Sequence, residues 1–151
     1  MATVGRRQRR DPGLGCMFRN MTAQLTPDDV ALLKEPQIAA LATVGKDGTP
    51  HITPVWIDTD GEVVLLNTAK GRVKHKNLVR HPKVAVLVVD KDQPFRWVAV
   101  RGTAEFVEEG ADEQIDALAK KYLGADSYPF RDPAEQRITV RVTPEHRAGM
   151  P

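Results

Sequence analysis

The sequence predicts a mainly β fold: six strands in an antiparallel barrel, with short helices on its outside or at its ends. Three observations carry this expectation. Short apolar runs, alternating or nearly continuous, recur along the chain between turns rich in Gly and Asp. The turns joining the early strands are too short for parallel crossovers, which need about a dozen residues or more. The chain has 151 residues, 41% hydrophobic and 28% charged, enough apolar material for one domain without a disulfide or metal staple.

Taken in order, Thr26-Pro27-Asp28-Asp29 reads as a helix start, with Thr26 capping and two acids at the positive helix end. That helix stops before Pro36. Gln37 to Val44 reads as a strand burying Ile38, Ala40 and Ala42. Gly45-Lys46-Asp47-Gly48 is a hairpin turn into a second strand, His51 to Asp58. A further turn, Asp58 to Gly61, leads to a third strand, Glu62 to Thr68, giving a three-stranded meander. Gly71 to Arg80 is a short helix stopped by Pro82. Val84 to Val89 is the fourth strand, and Phe95 to Glu108 the fifth, bent at Gly102. Residues 111–123 place Ile115, Leu118, Ala119 and Tyr122 at helical spacing. Tyr128 to Pro133 is a loop. Arg137 to Val142 is the last strand, with Ile138, Val140 and Val142 on one face.

Charge and composition exclude several function classes. Residues 1–20 carry five arginines against one aspartate, a net +4, which leaves −2 for the remainder of a chain whose total is +2. The basic balance thus belongs to a tail, read as disordered or as a miscalled start, with Met17 and Met21 as alternative starts and the domain spanning 21–151. A nucleic-acid-binding domain is disfavoured. Cys16, the single cysteine, excludes a disulfide framework or a cysteine zinc site. No apolar run reaches the ~20 residues of a membrane helix, and no secretory signal opens the chain, so a cytoplasmic protein is expected. His51, His75, His81 and His146 are scattered, and no metal site is expected. No phosphate loop, nucleophile elbow or acid–base pair stands out.

One segment does stand out. From Lys70 to Arg80, six of eleven residues are cationic or can become so: Lys70, Arg72, Lys74, His75, Lys76 and Arg80. If the helix starts near Arg72, cations crowd its N-terminal turn, where the helix dipole favours anions. A bound anion, also met by free backbone N–H groups, would reverse that unfavourable term. Exposed cations on a solvated helix are the alternative reading. A second feature is Thr49-Pro50-His51-Ile52-Thr53-Pro54-Val55-Trp56. Two prolines distort this strand, freeing backbone to approach a ligand. Trp56 could cover a planar ring or sit in the core.

The ordered set Ile38–Val44, Asp47-Gly48-Thr49-Pro50-His51, Pro54-Val55-Trp56, Arg72-x-Lys74-x-Lys76-Asn77-Leu78, His81-Pro82-Lys83-Val84 and the C-terminal Arg137–Met150 resembles the pyridoxamine 5′-phosphate oxidase-like split-barrel flavoproteins. It is more narrowly similar to the actinobacterial branch that uses the deazaflavin coenzyme F420. The resemblance covers about residues 22–150. It implies a six-stranded split barrel, a homodimer, and a cofactor in a cleft between subunits. Arg72 and Lys74, helped by Lys70, Lys76 and Asn77, would hold the cofactor phosphate. Thr53, Pro54, Val55 and Trp56 would lie along the ring, with His51 lining the same cleft. Asn67 and Thr68 would contact the linker, and residues 137–150 would face the partner's cleft. The arginine- and lysine-bearing motif and C-terminal signature of the true pyridoxine-metabolism oxidases are absent. The implied activity is hydride transfer from reduced F420 to an electron-poor double bond of a small organic substrate. An FMN-dependent oxidoreductase and a non-enzymatic cofactor carrier are the alternatives. The chemistry would belong to the cofactor, which accords with the lack of an acid–base pair; His51 is the candidate for proton handling, with a structural histidine as the other reading.

Overall fold

Thr26 opens the first helix as its chemistry requires. Its hydroxyl accepts from the Asp29 N–H at 3.2 Å, and the Asp29 carboxylate accepts from the Thr26 N–H at 2.8 Å. A computed structural model describes residues 23–150, so the tail 1–20 lies outside the described residues. The elements run α1 (Pro27–Lys34), β1 (Ala39–Val44), β2 (Pro50–Val55), β3 (Ile57–Thr59), β4 (Val64–Ala69), α2 (Val73–Arg80), β5 (Lys83–Val89), β6 (Trp97–Val107), α3 (Ala111–Leu123) and β7 (Arg137–Met150). None of the helices is long and apolar enough to cross a membrane.

The strands form one antiparallel sheet in the order β2-β1-β5-β6-β7-β4-β3. This corrects two expectations. The described residues form seven strands rather than six, because the strand expected at His51–Asp58 breaks at Trp56. The meander is also not formed: β2 pairs with β1, and β3 with β4, at opposite ends of the sheet. Pro54 cannot donate to a ladder, and pairing changes partner just after it. Only Trp56 separates the two edge strands, so the sheet curls until its edges meet there. The outcome is a half-closed barrel with a seam at Val55-Trp56-Ile57.

A third correction concerns the face of β1. Ala39, Leu41 and Thr43 are buried, whereas Ile38 is 54% exposed. Both faces of Ala39–Val44 are apolar or small, so alternation alone does not say which one turns inward. The tie is broken by neighbours: Leu41 pairs with Val86, and Thr43 accepts from the buried Asn77 Nδ2 at 3.0 Å.

The last strand is longer than expected, running to Met150 and pairing along nearly all of β6. The bend expected at Gly102 is present as a register irregularity between Arg101 and Gly102, with Glu145 left over on β7. A Cβ at Gly102 would lie 2.0 Å from the Thr143 carbonyl oxygen, so the close strand approach admits only glycine. The end of β7 is tied to α1 by Arg147, whose Nε and terminal nitrogen donate to the Asp29 carboxylate at 2.8 and 2.6 Å. Leu41, Ile57, Leu66, Val88, Val100 and Val140 fill the barrel, with Leu32 and Leu33 of α1 closing one end.

Candidate functional site

The seam and the start of α2 border the same cleft. Its volume is about 350 Å³, and its wall brings together Pro54, Val55, Trp56, Asn67, Arg72 and Lys74 of the expected set. Ile115 and Leu118 of α3 supply apolar floor, and Tyr128, Phe130 and Arg137 complete the wall.

The helix end is arranged as its charge pattern suggests. Val73 is the first residue of α2, Arg72 is its N-cap without a side-chain cap bond, and the first turn holds no acid. Gly71 enters the helix at φ +84, a left-handed conformation that glycine tolerates. Lys74 is half-buried; burial and the charges of Arg72 and Arg137 lower its proton affinity. No ion pair of Lys74 is present among the described residues. Arg72 is partnered: its Nε and terminal nitrogen donate to Glu135 at 3.0 and 2.7 Å.

The other expected residues divide into two groups. Lys70 pairs with Glu108, and Lys76 is exposed on α2, so neither lines the cleft. Asn77 is buried, donating to Thr43 and accepting from Arg80, and ties α2 to β1. His51, Thr53 and Thr68 also lie outside the cleft wall. Each nonetheless buries a polar atom (Nδ1, Oγ1 and Oγ1) with no hydrogen-bond partner among the described residues. Such orphans are costly unless a further group satisfies them.

The aromatic wall arises in tertiary structure. Trp56 stacks on Tyr122 with ring centroids 5.2 Å apart and planes 6° from parallel. Tyr122 is itself held by its hydroxyl, which donates to the Gln37 carbonyl at 2.6 Å and accepts from the Ile57 N–H at 3.1 Å. Tyr128 meets Trp56 edge-on at 6.1 Å, and Phe130 meets Tyr128 at 5.7 Å. The Arg137 guanidinium lies 5.2 Å from the Tyr128 ring centre. Arg137 escaped sequence reasoning because it looks like an ordinary strand residue; its only signal was its place in the resembling C-terminal run.

The fold is a half-closed antiparallel barrel with a cationic, aromatic-walled cleft at its seam. The chain belongs to the pyridoxamine 5′-phosphate oxidase family, whose profile matches residues 25–150. It is 28% identical over 133 residues to an F420H(2)-dependent biliverdin reductase of Mycobacterium tuberculosis, covering 86% of this chain and 91% of that one. It is 30% identical over 106 residues to a 5a,11a-dehydrotetracycline/5a,11a-dehydrooxytetracycline reductase of Streptomyces rimosus, covering 65% of this chain and 75% of the relative. A solved F420 reductase superposes with a TM-score of 0.69 at 33% identity, covering 78% of this chain and 94% of that one.

Proposed function

We propose that this protein is a cytoplasmic homodimeric oxidoreductase that uses coenzyme F420 to reduce an electron-poor double bond in a small organic substrate. The observation that carries the reading is the cleft itself, where Arg72, Lys74 and Arg137 face one another beside a wall of aromatic rings. An anionic cofactor with a planar ring fits both halves of that wall. The named relatives that use F420 support the same choice.

When bound, reduced F420 supplies the hydride. The chain's own residues bind, orient and exclude water. Arg72 and Lys74 would hold the phosphate at the α2 N-terminus, with Lys70, Lys76 and Asn77 adding charge or support from outside the wall. Pro54, Val55 and Trp56 would lie beside the ring, continued by Thr53 outside the wall, and the Trp56 indole is fixed by Tyr122. Asn67, on the cleft wall, would contact the linker, with Thr68 buried next to it in β4; the orphaned Thr53, Thr68 and His51 atoms lie outside the wall. No histidine lines the cleft and His51 lies outside its wall, so the substrate's proton would come from solvent.

The dimer reading has its own support. Ile38, Ile52, Leu87 and Val89 are 54%, 67%, 40% and 39% exposed. They lie on the outer face of β2, β1 and β5, around the pairs Ala40–Pro54 and Ala40–Leu87. A contiguous apolar face of this kind is suited to a second copy.

Parallel fluorescence titrations with F420 and FMN, at two salt concentrations, test the cofactor reading. Preferential, salt-sensitive binding of F420 is expected. Binding of neither would overturn the site, and preference for FMN would overturn the cofactor.

A further inference from the structure

Arg137 is more buried than a surface arginine has reason to be. Its side chain is 6% exposed, yet it lines the cleft. Its Nε donates to Asn67 Oδ1 at 2.8 Å, and Asn67 is fixed in turn by donating to Gln114 Oε1 at 2.7 Å and to the Ala111 carbonyl at 2.8 Å. The nearest acid, Glu135, stands 3.4 Å from one terminal nitrogen and is already spent on Arg72, which it holds at 2.7 Å. Three cations, Arg72, Lys74 and Arg137, thus share one carboxylate, leaving the cleft with a surplus of two positive charges. Burial, with Arg72 nearby, also pushes the Arg137 guanidinium below its ordinary proton affinity. A desolvated guanidinium without a full partner is unfavourable until an anion reaches it.

We propose that Arg137 is a ligand-binding residue, the third and most buried cation of the anion site, and that it engages the same phosphate as Arg72 and Lys74. This rests on the cofactor reading above. The Asn67–Gln114 chain aims the guanidinium before the ligand arrives. Glu135, held by Arg72 through three hydrogen bonds, is the resident counter-ion that the phosphate would displace. The aromatic side of the cleft and its cationic side thereby meet at one residue, because Arg137 also lies against Tyr128.

The test is direct binding of F420, and of the same deazaflavin lacking its phosphate, to the full chain and its variants. Arg137→Met is expected to weaken F420 roughly 10- to 100-fold, the range for a charge-assisted hydrogen bond. The phosphate-free ligand should bind as it does to the parent, and the salt dependence of F420 binding should fall. Equal loss for both ligands would overturn the proposal in favour of a structural role. Unchanged F420 affinity in Arg137→Met, with a loss in Arg72→Ala, would overturn it while sparing the cofactor reading; no loss in either would overturn both. Should Arg137→Met fail to fold, Glu135→Gln carries the test: it should tighten F420 several-fold, and unchanged or weaker binding would overturn the proposal.

Discussion

Asn67 accepts from Arg137 across 2.8 Å, joining the middle of β4 to the first turnout of β7 at the floor of the cleft. The two strands are hydrogen-bonded neighbours in the sheet, although about seventy positions apart in sequence. Both residues line the cleft, so the pairing of β4 with β7 and the shape of the cleft are set together.

Removing either helix-end cation should weaken the cofactor. Arg72→Ala and Lys74→Ala are each expected to reduce F420 affinity by about 1.5–3 kcal/mol, the range for hydrogen bonds to charged groups. Isothermal titration against the parent checks this. Affinities equal to the parent in both variants would place the phosphate elsewhere.

Asp29 should control acid stability. Burial raises its carboxyl's proton affinity, but the bonds from Arg147 and Thr26 outweigh this and hold it below the ordinary aspartate value. A carboxyl with a depressed folded-state value stabilises above its unfolded value and loses that contribution as pH falls through the folded one. Asp29→Ala should therefore cost about 2–4 kcal/mol at neutral pH, from the lost cap and the unpaired Arg147. The gap to the parent should narrow as pH falls below the ordinary aspartate value, measured by urea unfolding across the acid range.

Lys121 predicts a trend of the same sign in the alkaline range. Its Nζ donates to the Leu33 and Ile57 carbonyls, both at 2.6 Å, and burial lowers its value from 10.5 to about 8. Between those values the unfolded chain keeps a proton that the folded chain has released, so this group's contribution to stability rises with pH. The stability difference between parent and Lys121→Met should shift in the parent's favour through that window. A difference independent of pH would show that Lys121 titrates normally.

Gly102→Ala should destabilise the fold by about 2–4 kcal/mol, since the new methyl meets backbone rather than a movable side chain. Thermal unfolding reads the change. A near-neutral result would mean that β6 and β7 can separate without cost at the bulge.

Ile52→Asp should yield a monomer at micromolar concentration by light scattering, with the parent a dimer. The substitution places charge at the centre of the exposed apolar face without touching the barrel interior. A dimer of unchanged mass would put the interface on another surface.

Much of this was legible in the residues. Thr26 with Asp29, the turn at Gly45–Gly48, the helix at 111–123 and the bend at Gly102 are local matters of caps, turn chemistry and period, and each is found as expected. The cation-crowded start of α2 was legible for the same reason, because a helix end lacking acids is a property of adjacent residues. The face of β1 was not legible, since Ile38, Ala40 and Ala42 are as apolar as Ala39 and Leu41. Nor were the site's long-range partners: Glu135 reaches Arg72 from 63 positions away.

By itself, then, the chain specified a mainly β domain, its helix ends, its turns and one cation-crowded helix start, all governed by interactions within a few residues. Folding in three dimensions determined which strands became neighbours. A strand broken at Trp56 has two halves that can pair with different partners, and only the closure of the whole sheet chooses between them. That same closure set Tyr122 behind Trp56 and Arg137 beside Arg72 and Lys74. Burial and charge proximity are properties of the assembled barrel, and no stretch of sequence carries them alone.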